Sequence, residues 1–462
     1  MLGIKKSRGT DIDMTEGSIF RHLFIFAIPL LLGNLFQLLY NTVDTVILGQ
    51  YVSDAAFSAV GSLGPTTNLM ISLFMGLSSG ASVVIAKAFG SGDIAKVKRA
   101  VSTSLFLTLF LSVLLTIVGQ LLVEPLLMIL DMPSNEKIEA EKYLSIWMLG
   151  ISGLLFYNIA SAIMRAVGDS TKPFIMLVFS AVLNAVLDIV FVRAFEMGVE
   201  GVAYATIISQ WISALLVLIL LFTTSSAVKI HPKDMRLDLG ILKTIFMIGL
   251  PAALRLGITS FSNVFVQSYI NYFGGDAMGG WTAYTKIDMV VLLPMQSLSL
   301  AATTFVGQNL GHGLRKRAER GANVALLMAL VSTTMLIIPI IAFPGIFVSI
   351  FNTNPDIIEF GSLFLRFLTP FYLIWCVCLI YSGALNGAGK TIVTMIIMLS
   401  SFVAFRQIYL YVVANFIDNS PIPITLSYPL GWTIAAVSTF IYYRVKGLSD
   451  DKMQVMEEVK TE

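Results

Sequence analysis

Charge is scarce in this sequence: Asp, Glu, Lys and Arg together make up 13% of its 462 residues. Soluble globular domains carry roughly 25% charged residues, so the chain lacks the polar material to cover a water-facing surface. Histidine and cysteine are rarer still, at 3 and 2 residues. The two cysteines, Cys376 and Cys378, lie in one apolar stretch. Residues two apart do not share a helix face, so they read as packing residues rather than a disulfide or a metal pair. No metal site and no resident cofactor are expected. Within the apolar runs there is neither a His/Glu metal spacing nor a Ser/His arrangement, so an enzyme is not expected. The stretch Gly387-Ala-Gly-Lys-Thr391 imitates the end of a phosphate-binding loop. That loop needs a glycine five residues before Gly389, where this chain has Ala384. Basic residues sit in loops, so the net charge of +2 carries no expectation of nucleic acid binding. A cleavable leader is not expected either, because the polar segment Met1–Gly17 runs directly into a full-length apolar run.

Long uncharged runs are what the chain has in abundance. Residues 55–86, 101–123, 143–164, 201–228 and 321–355 contain no Asp, Glu, Lys or Arg. A membrane-spanning helix needs about 20 predominantly apolar residues. Breaking the apolar runs at charge clusters and Gly/Pro sites predicts twelve helices. They cover 20–48, 55–86, 97–123, 140–165, 172–193, 200–224, 242–272, 277–308, 319–345, 357–384, 391–414 and 424–444. The fold class is therefore all-α and integral to a membrane. Basic clusters such as Lys96, Lys98 and Arg99, or Arg315, Lys316, Arg317 and Arg320, fall in alternate loops. The intervening loops are acidic or neutral. The positive-inside rule then puts both termini in the cytoplasm, as an even span count requires.

The two halves echo each other about 220 residues apart. Pro29 follows Ile-Phe-Ala-Ile, and Pro251 follows Met-Ile-Gly-Leu. Lys87-Ala-Phe-Gly90-Ser-Gly92 matches Gln308-Asn-Leu-Gly311-His-Gly313. Arg165-Ala-Val-Gly168-Asp-Ser matches Asn386-Gly-Ala-Gly389-Lys-Thr. A duplicated six-helix unit follows, with the copies sharing one orientation. Repeats of this kind recur in transporters, with the substrate site where the halves meet. The expected organisation is a tail (1–19), a first lobe (20–224), a linker (225–241), a second lobe (242–444) and a second tail (445–462).

Polar residues inside spans are the candidate site. Asn34, Gln37, Asn41 and Asp44 are spaced by three or four on span 1, one continuous face. Ser180, Asn184 and Asp188 repeat every four on span 5, and Thr206, Gln210 and Ser213 lie on span 6. At about 1.5 Å of rise per residue, Asp44, Asp188 and Thr206 reach a similar depth. An aspartate inside a span costs roughly 2.5–3.5 kcal/mol on insertion scales, so two at one depth point into the protein. One reading makes them packing residues satisfied by Asn, Thr or backbone. The other makes them a buried carboxyl pair that exchanges a proton or binds a cation. Span 7 lines up Thr259, Asn263, Gln267 and Asn271 without an acid. Asp288 beside Lys286 on span 8 reads either as a local ion pair or as a cargo contact. Arg255, Arg366 and Arg406 are intramembrane by count. Phe36, Tyr40, Phe156, Tyr157, Trp281 and Tyr284 read as cavity-lining or packing aromatics.

The early proline, the segment Asn41-Thr-Val-Asp44-Thr-Val-Ile-Leu-Gly49, the Arg-Ala-Val-Gly-Asp-Ser turn and Asn184-Ala-Val-Leu-Asp188 resemble the multidrug and toxic compound extrusion (MATE) exporters. The likeness covers essentially the whole chain and is nearest to the DinF and MepA-like branch. It implies a V-shaped fold of two pseudo-symmetric six-helix lobes in a bacterial inner membrane. It also implies a functional monomer that exports cationic amphipathic drugs in exchange for protons or sodium ions. Carried over residue by residue, it implies an ion-coupling site of Asp44, Asn184, Asp188 and Thr206, with Asn41 on the same face, and a hinge at Pro29. Gln37, Gln210, Asn263, Gln267, Asp288 and Tyr284 are the expected substrate cavity. Apart from Glu359 at the outer edge of span 10, the acids that another branch carries on spans 7 and 10 are absent. The alternative is a lipid flippase of related fold, whose cavity would be rich in Arg and Lys.

Overall fold

A computed structural model describes residues 11–129, 134–231, 233 and 235–448. These residues form helices and no strands. Nine long helices come first: α1 (Ile19–Tyr51), α2 (Asp54–Gly90), α3 (Ile94–Ile129), α4 (Ser134–Ala166), α5 (Thr171–Ile189), α6 (Gly198–Thr223), α7 (Leu239–Asn271), α8 (Gly275–Gly311) and α9 (Arg315–Ala342). The remaining spans are segmented. A short α10 (Pro344–Ser349) precedes α11 (Pro355–Leu368), which runs through a 3₁₀ turn into α12 (Tyr372–Gly387). A π-helical turn at Ser400–Phe405 joins α13 (Thr391–Leu399) to α14 (Arg406–Val412); α15 (Pro421–Thr425) and α16 (Ser427–Lys446) follow. Twelve of the resulting helical stretches are long and apolar enough to cross a membrane. Most run several residues past the uncharged stretches. The ends carry residues such as Lys96 and Arg99, whose long side chains reach water while the backbone ladder continues.

Contacts divide the chain into two compact units, Met1–Asp13 with Ile28–Gly249, and Met14–Ala27 with Leu250–Glu462. The boundaries differ from the expected lobes because they fall inside helices. Both α1 and α7 change unit just before a proline, Pro29 and Pro251, and neither is broken there. A proline removes one ladder hydrogen bond without ending a helix that its neighbours hold. The segment expected as a soluble linker is docked on the first unit. Val228 and Ile230 are buried in that unit's apolar core, and the Ile230 amide donates to the Leu221 carbonyl at 3.3 Å. Asp238 caps α7 by accepting from the Gly240 and Ile241 amides, both at 3.0 Å.

The repeat is visible in the backbone. Gly92 and Gly313 both have positive φ, 75° and 81°, and so do Gly168 and Gly389, at 89° and 84°. Each closes its helix the same way, with the next residue's amide donating five positions back: Asp93 to Ala88, Leu314 to Asn309, Asp169 to Met164, and Lys390 to Leu385. Left-handed φ suits glycine alone at such caps, so the matching glycines mark matching turns. A π-helical turn ends span 5 at Val190–Ala194, and one ends span 11 at Val413–Ile417.

Candidate functional site

In the first unit, α1, α5 and α6 bring four of the candidate residues together. Asn184 and Asp188 have no exposed surface and Thr206 is buried. The amide of Asn184, oriented by its hydrogen-bond network, is the hub. Its nitrogen donates to Asp44 Oδ1 at 2.9 Å and to Asp188 Oδ2 at 3.2 Å, while its oxygen accepts from the Thr206 backbone amide at 3.2 Å. Asp44 and Asp188 also lie within hydrogen-bonding reach of each other. Asp188 Oδ1 is buried and has no donor among the described residues. Two facing carboxyls with one oxygen left unpaired lack one positive centre between them, since an unsatisfied buried acceptor costs about 1–3 kcal/mol. A shared proton or a bound cation fills that role.

The helices that carry the cluster are fixed by local bonds. Ser180 Oγ donates to the Ser209 carbonyl at 2.9 Å and Ser213 Oγ to the Met176 carbonyl at 3.2 Å, so polar spacing on α5 and α6 also stitches them together. Tyr40, one turn before Asp44, lies within electrostatic reach of that carboxyl and donates to Thr206 Oγ1 at 3.4 Å. Tyr143 on α4 is buried within electrostatic reach of both acids. The i, i+4 spacing to Asp44 is a signal that singles out Tyr40; nothing periodic points to Tyr143. Gln37 is exposed and Gln210 half-buried, and neither bonds the cluster. The Asn41 side chain lies outside the described residues. Tyr40→Phe is expected to lower stability by about 1 kcal/mol, the contribution of its hydrogen bond to Thr206. An unchanged thermal unfolding midpoint in that variant would remove Tyr40 from the cluster.

The second unit has a different polar centre. Tyr372 donates a short hydrogen bond to Asp288, and the Tyr372 and Tyr284 hydroxyls are 3.1 Å apart. Asp288 is therefore held by Tyr372, and no ion pair with the exposed Lys286 forms among the described residues. Asn263 Oδ1 accepts from Arg406 Nη2 at 2.9 Å, whereas Gln267 turns to Asn271 on its own helix at 2.8 Å. Trp281 packs on Tyr284 and Tyr428 with ring centroids 4.8 and 5.5 Å away. Arg366 is exposed. Tyr372, Tyr428 and Ser262 are members that sequence periodicity does not single out, because they sit on three separate spans. Among the described residues no group of three or more His, Cys, Asp or Glu is placed to hold a metal.

Comparison with known proteins agrees with this repeat architecture. The family model MatE matches twice, over residues 29–190 and 251–412, each copy starting at a helix-interior proline. The chain is 26% identical to Probable multidrug resistance protein YpnP of Bacillus subtilis, covering 94% of this chain and 96% of that protein. It is 25% identical to a protein of Shewanella oneidensis named FAD transporter, covering 88% and 90%. A solved structure of a MOP superfamily transporter from Pyrococcus furiosus superposes with a TM-score of 0.89 at 23% identity, over 95% of this chain and 98% of that one. This chain belongs to the MATE family of multidrug efflux transporters, membrane carriers rather than enzymes.

Proposed function

We propose that the protein is a secondary active exporter of aromatic, amphipathic organic cations, driven by proton uptake at the Asp44–Asp188 pair. The observation that carries this reading is the orphaned oxygen of Asp188, facing a second carboxyl across the Asn184 amide. The amide presents its nitrogen to both acids and spends its oxygen on Thr206. A proton shared between the two carboxyls supplies the missing positive centre with no ligand beyond the residues already there. Asp288, on the wall with Trp281 and Tyr284, supplies a negative centre beside flat rings, which suits an aromatic cation. Both termini face the cytoplasm in this reading, by the distribution of basic loops. The protein acts in a bacterial inner membrane and as a monomer.

Ethidium efflux from energised vesicles tests the proposal, with the proton and sodium gradients collapsed separately. Efflux is expected to stop when the pH gradient is collapsed and to continue without sodium. Efflux that stops only on sodium removal overturns proton coupling. Efflux that survives loss of both gradients overturns secondary transport.

A further inference from the structure

Arg406, at the start of α14, has no exposed surface although it lies inside a membrane-spanning stretch. The π-helical turn before it leaves the Phe402 carbonyl to accept from Ser262 Oγ at 2.6 Å, and Ser262 Oγ accepts in turn from Arg406 Nη2 at 2.6 Å. Asn263 Oδ1 takes a second bond from Nη2 at 2.9 Å, and Gln407 Nε2 adds one to Ser262 Oγ at 2.9 Å. Two rings cover the guanidinium, Tyr428 at 5.0 Å and Phe402 at 5.4 Å from its central carbon. Every one of these partners is formally neutral. Arg406 belongs to none of the ion pairs among the described residues, and its Nε and Nη1 are buried with no acceptor.

That arrangement is half of an ion pair. Burying a charge costs several kcal/mol even after relaxation, and a buried charge without its partner is strongly destabilising. Neutral acceptors on one nitrogen and two ring faces offset part of that cost. They also hold the guanidinium through Nη2 and leave Nε and Nη1 unpaired. Tyr428 is within electrostatic reach of both Arg406 and Asp288. A fixed cation and a carboxyl thus both lie near one aromatic cluster of Tyr428, Trp281 and Trp432, the two Trp ring centroids 5.5 and 5.8 Å from that of Tyr428. Tyr428 and Asn263, partly exposed, are the accessible members next to Arg406.

We infer that Arg406 is the receptor for an acidic group on the transported compound, so that the second unit takes aromatic molecules carrying a carboxylate or phosphate beside their cationic centre. The inference rests on the export reading only for the word transported. The anion site itself is a property of Arg406, Ser262, Asn263 and Tyr428.

The test uses full-length protein in phosphatidylcholine nanodiscs and two dyes differing in one group. Rhodamine B is a zwitterion with a free carboxylate; its ethyl ester keeps the ring cation and loses the anion. Fluorescence polarisation is expected to show the wild type preferring the acid by about tenfold, one unpaired charge supplied with its partner. Arg406→Gln should abolish that preference while binding the ester more tightly, because a like charge has been removed. Arg406→Lys should keep part of the preference. The inference is overturned if the wild type binds both dyes equally, if the preference survives in Arg406→Gln, or if both variants lose both dyes alike, which makes Arg406 a packing residue. Repeating the titration with one third phosphatidylglycerol separates two sources of anion. A preference that vanishes there assigns the guanidinium to a lipid headgroup and overturns the cargo reading. Uphill export of the ester under a pH gradient, measured in parallel, can fail only with the export reading and leaves the binding result intact.

Discussion

Asp44→Asn is expected to insert and fold normally and to lose at least about tenfold in the gradient-driven export proposed above. The reason is visible around Asn184. An asparagine at position 44 can turn its oxygen toward the Asn184 nitrogen, replacing the 2.9 Å contact of Asp44 Oδ1. Its own nitrogen then supplies the donor that Asp188 Oδ1 lacks. The variant therefore holds permanently the arrangement that, in the proposed mechanism, a shared proton would make reversible. A hydrogen bond to a charged group contributes about 1.5–3 kcal/mol, which biases a two-state equilibrium by about ten- to a hundredfold. A transporter that cannot leave one state cannot couple, since a ligand shifts a balance only by its differential affinity for the two states. Binding of ethidium should persist and thermal stability should not fall, whereas accumulation against a gradient should vanish. Asp188→Asn should behave alike. Reconstituted Asp44→Asn protein that still builds a dye gradient under a pH gradient would falsify the coupling role.

Why this cluster could be read from the sequence, and its counterpart in the second unit only in part, comes down to geometry. Asp44, Asn184, Asp188 and Thr206 lie on uninterrupted α-helical stretches of α1, α5 and α6, where spacing by three or four and depth by residue count suffice to bring faces together. Tyr143 belongs to the same cluster but is the only member from α4, so no periodic partner announces it. Arg406 follows a π-helical turn, and one extra residue per turn shifts every later side chain around the helix axis. Counting by 3.6 from Thr391 misplaces it. Its partners Ser262 and Asn263 are consecutive on α7 and so belong to different stripes. The twelve spans and the duplication were legible because hydropathy and turn glycines are local signals. The unit boundaries were not, because α1 and α7 change partners in mid-helix, where no loop or charge cluster marks the change.

Next to that passage, α2 and α7 cross closely within the first unit. Gly80 of α2 lies against α7: a Cβ there would stand 2.5 Å from the Ile245 carbonyl oxygen and 2.7 Å from both Gly249 N and Cα. Seen from the other side, a Cβ on Gly249 would meet Leu77 Cα at 3.0 Å and the Gly76 carbonyl at 3.3 Å. Both walls are backbone, so no side chain can rotate away; the helices must move apart. Small residues allow such approach in membranes, where packing replaces the hydrophobic effect as the force between helices. Gly249 is also the last residue of the first unit before α7 enters the second at Leu250. Gly80→Leu is expected to destabilise by roughly 3 kcal/mol or more, the upper end of overpacking costs, and to abolish efflux with it. Gly80→Ala should follow in the same direction with a smaller loss. Gly249→Ala should be milder again, because its nearest atom is 3.0 Å away instead of 2.5 Å. Gly61→Leu, on the same α2 but with nothing within 4 Å of a built Cβ, should change stability by no more than about 0.5 kcal/mol. Thermal unfolding of the detergent-purified variants ranks all four. Equal midpoints for Gly80→Leu and Gly61→Leu would show that the crossing does not hold α7 in the first unit.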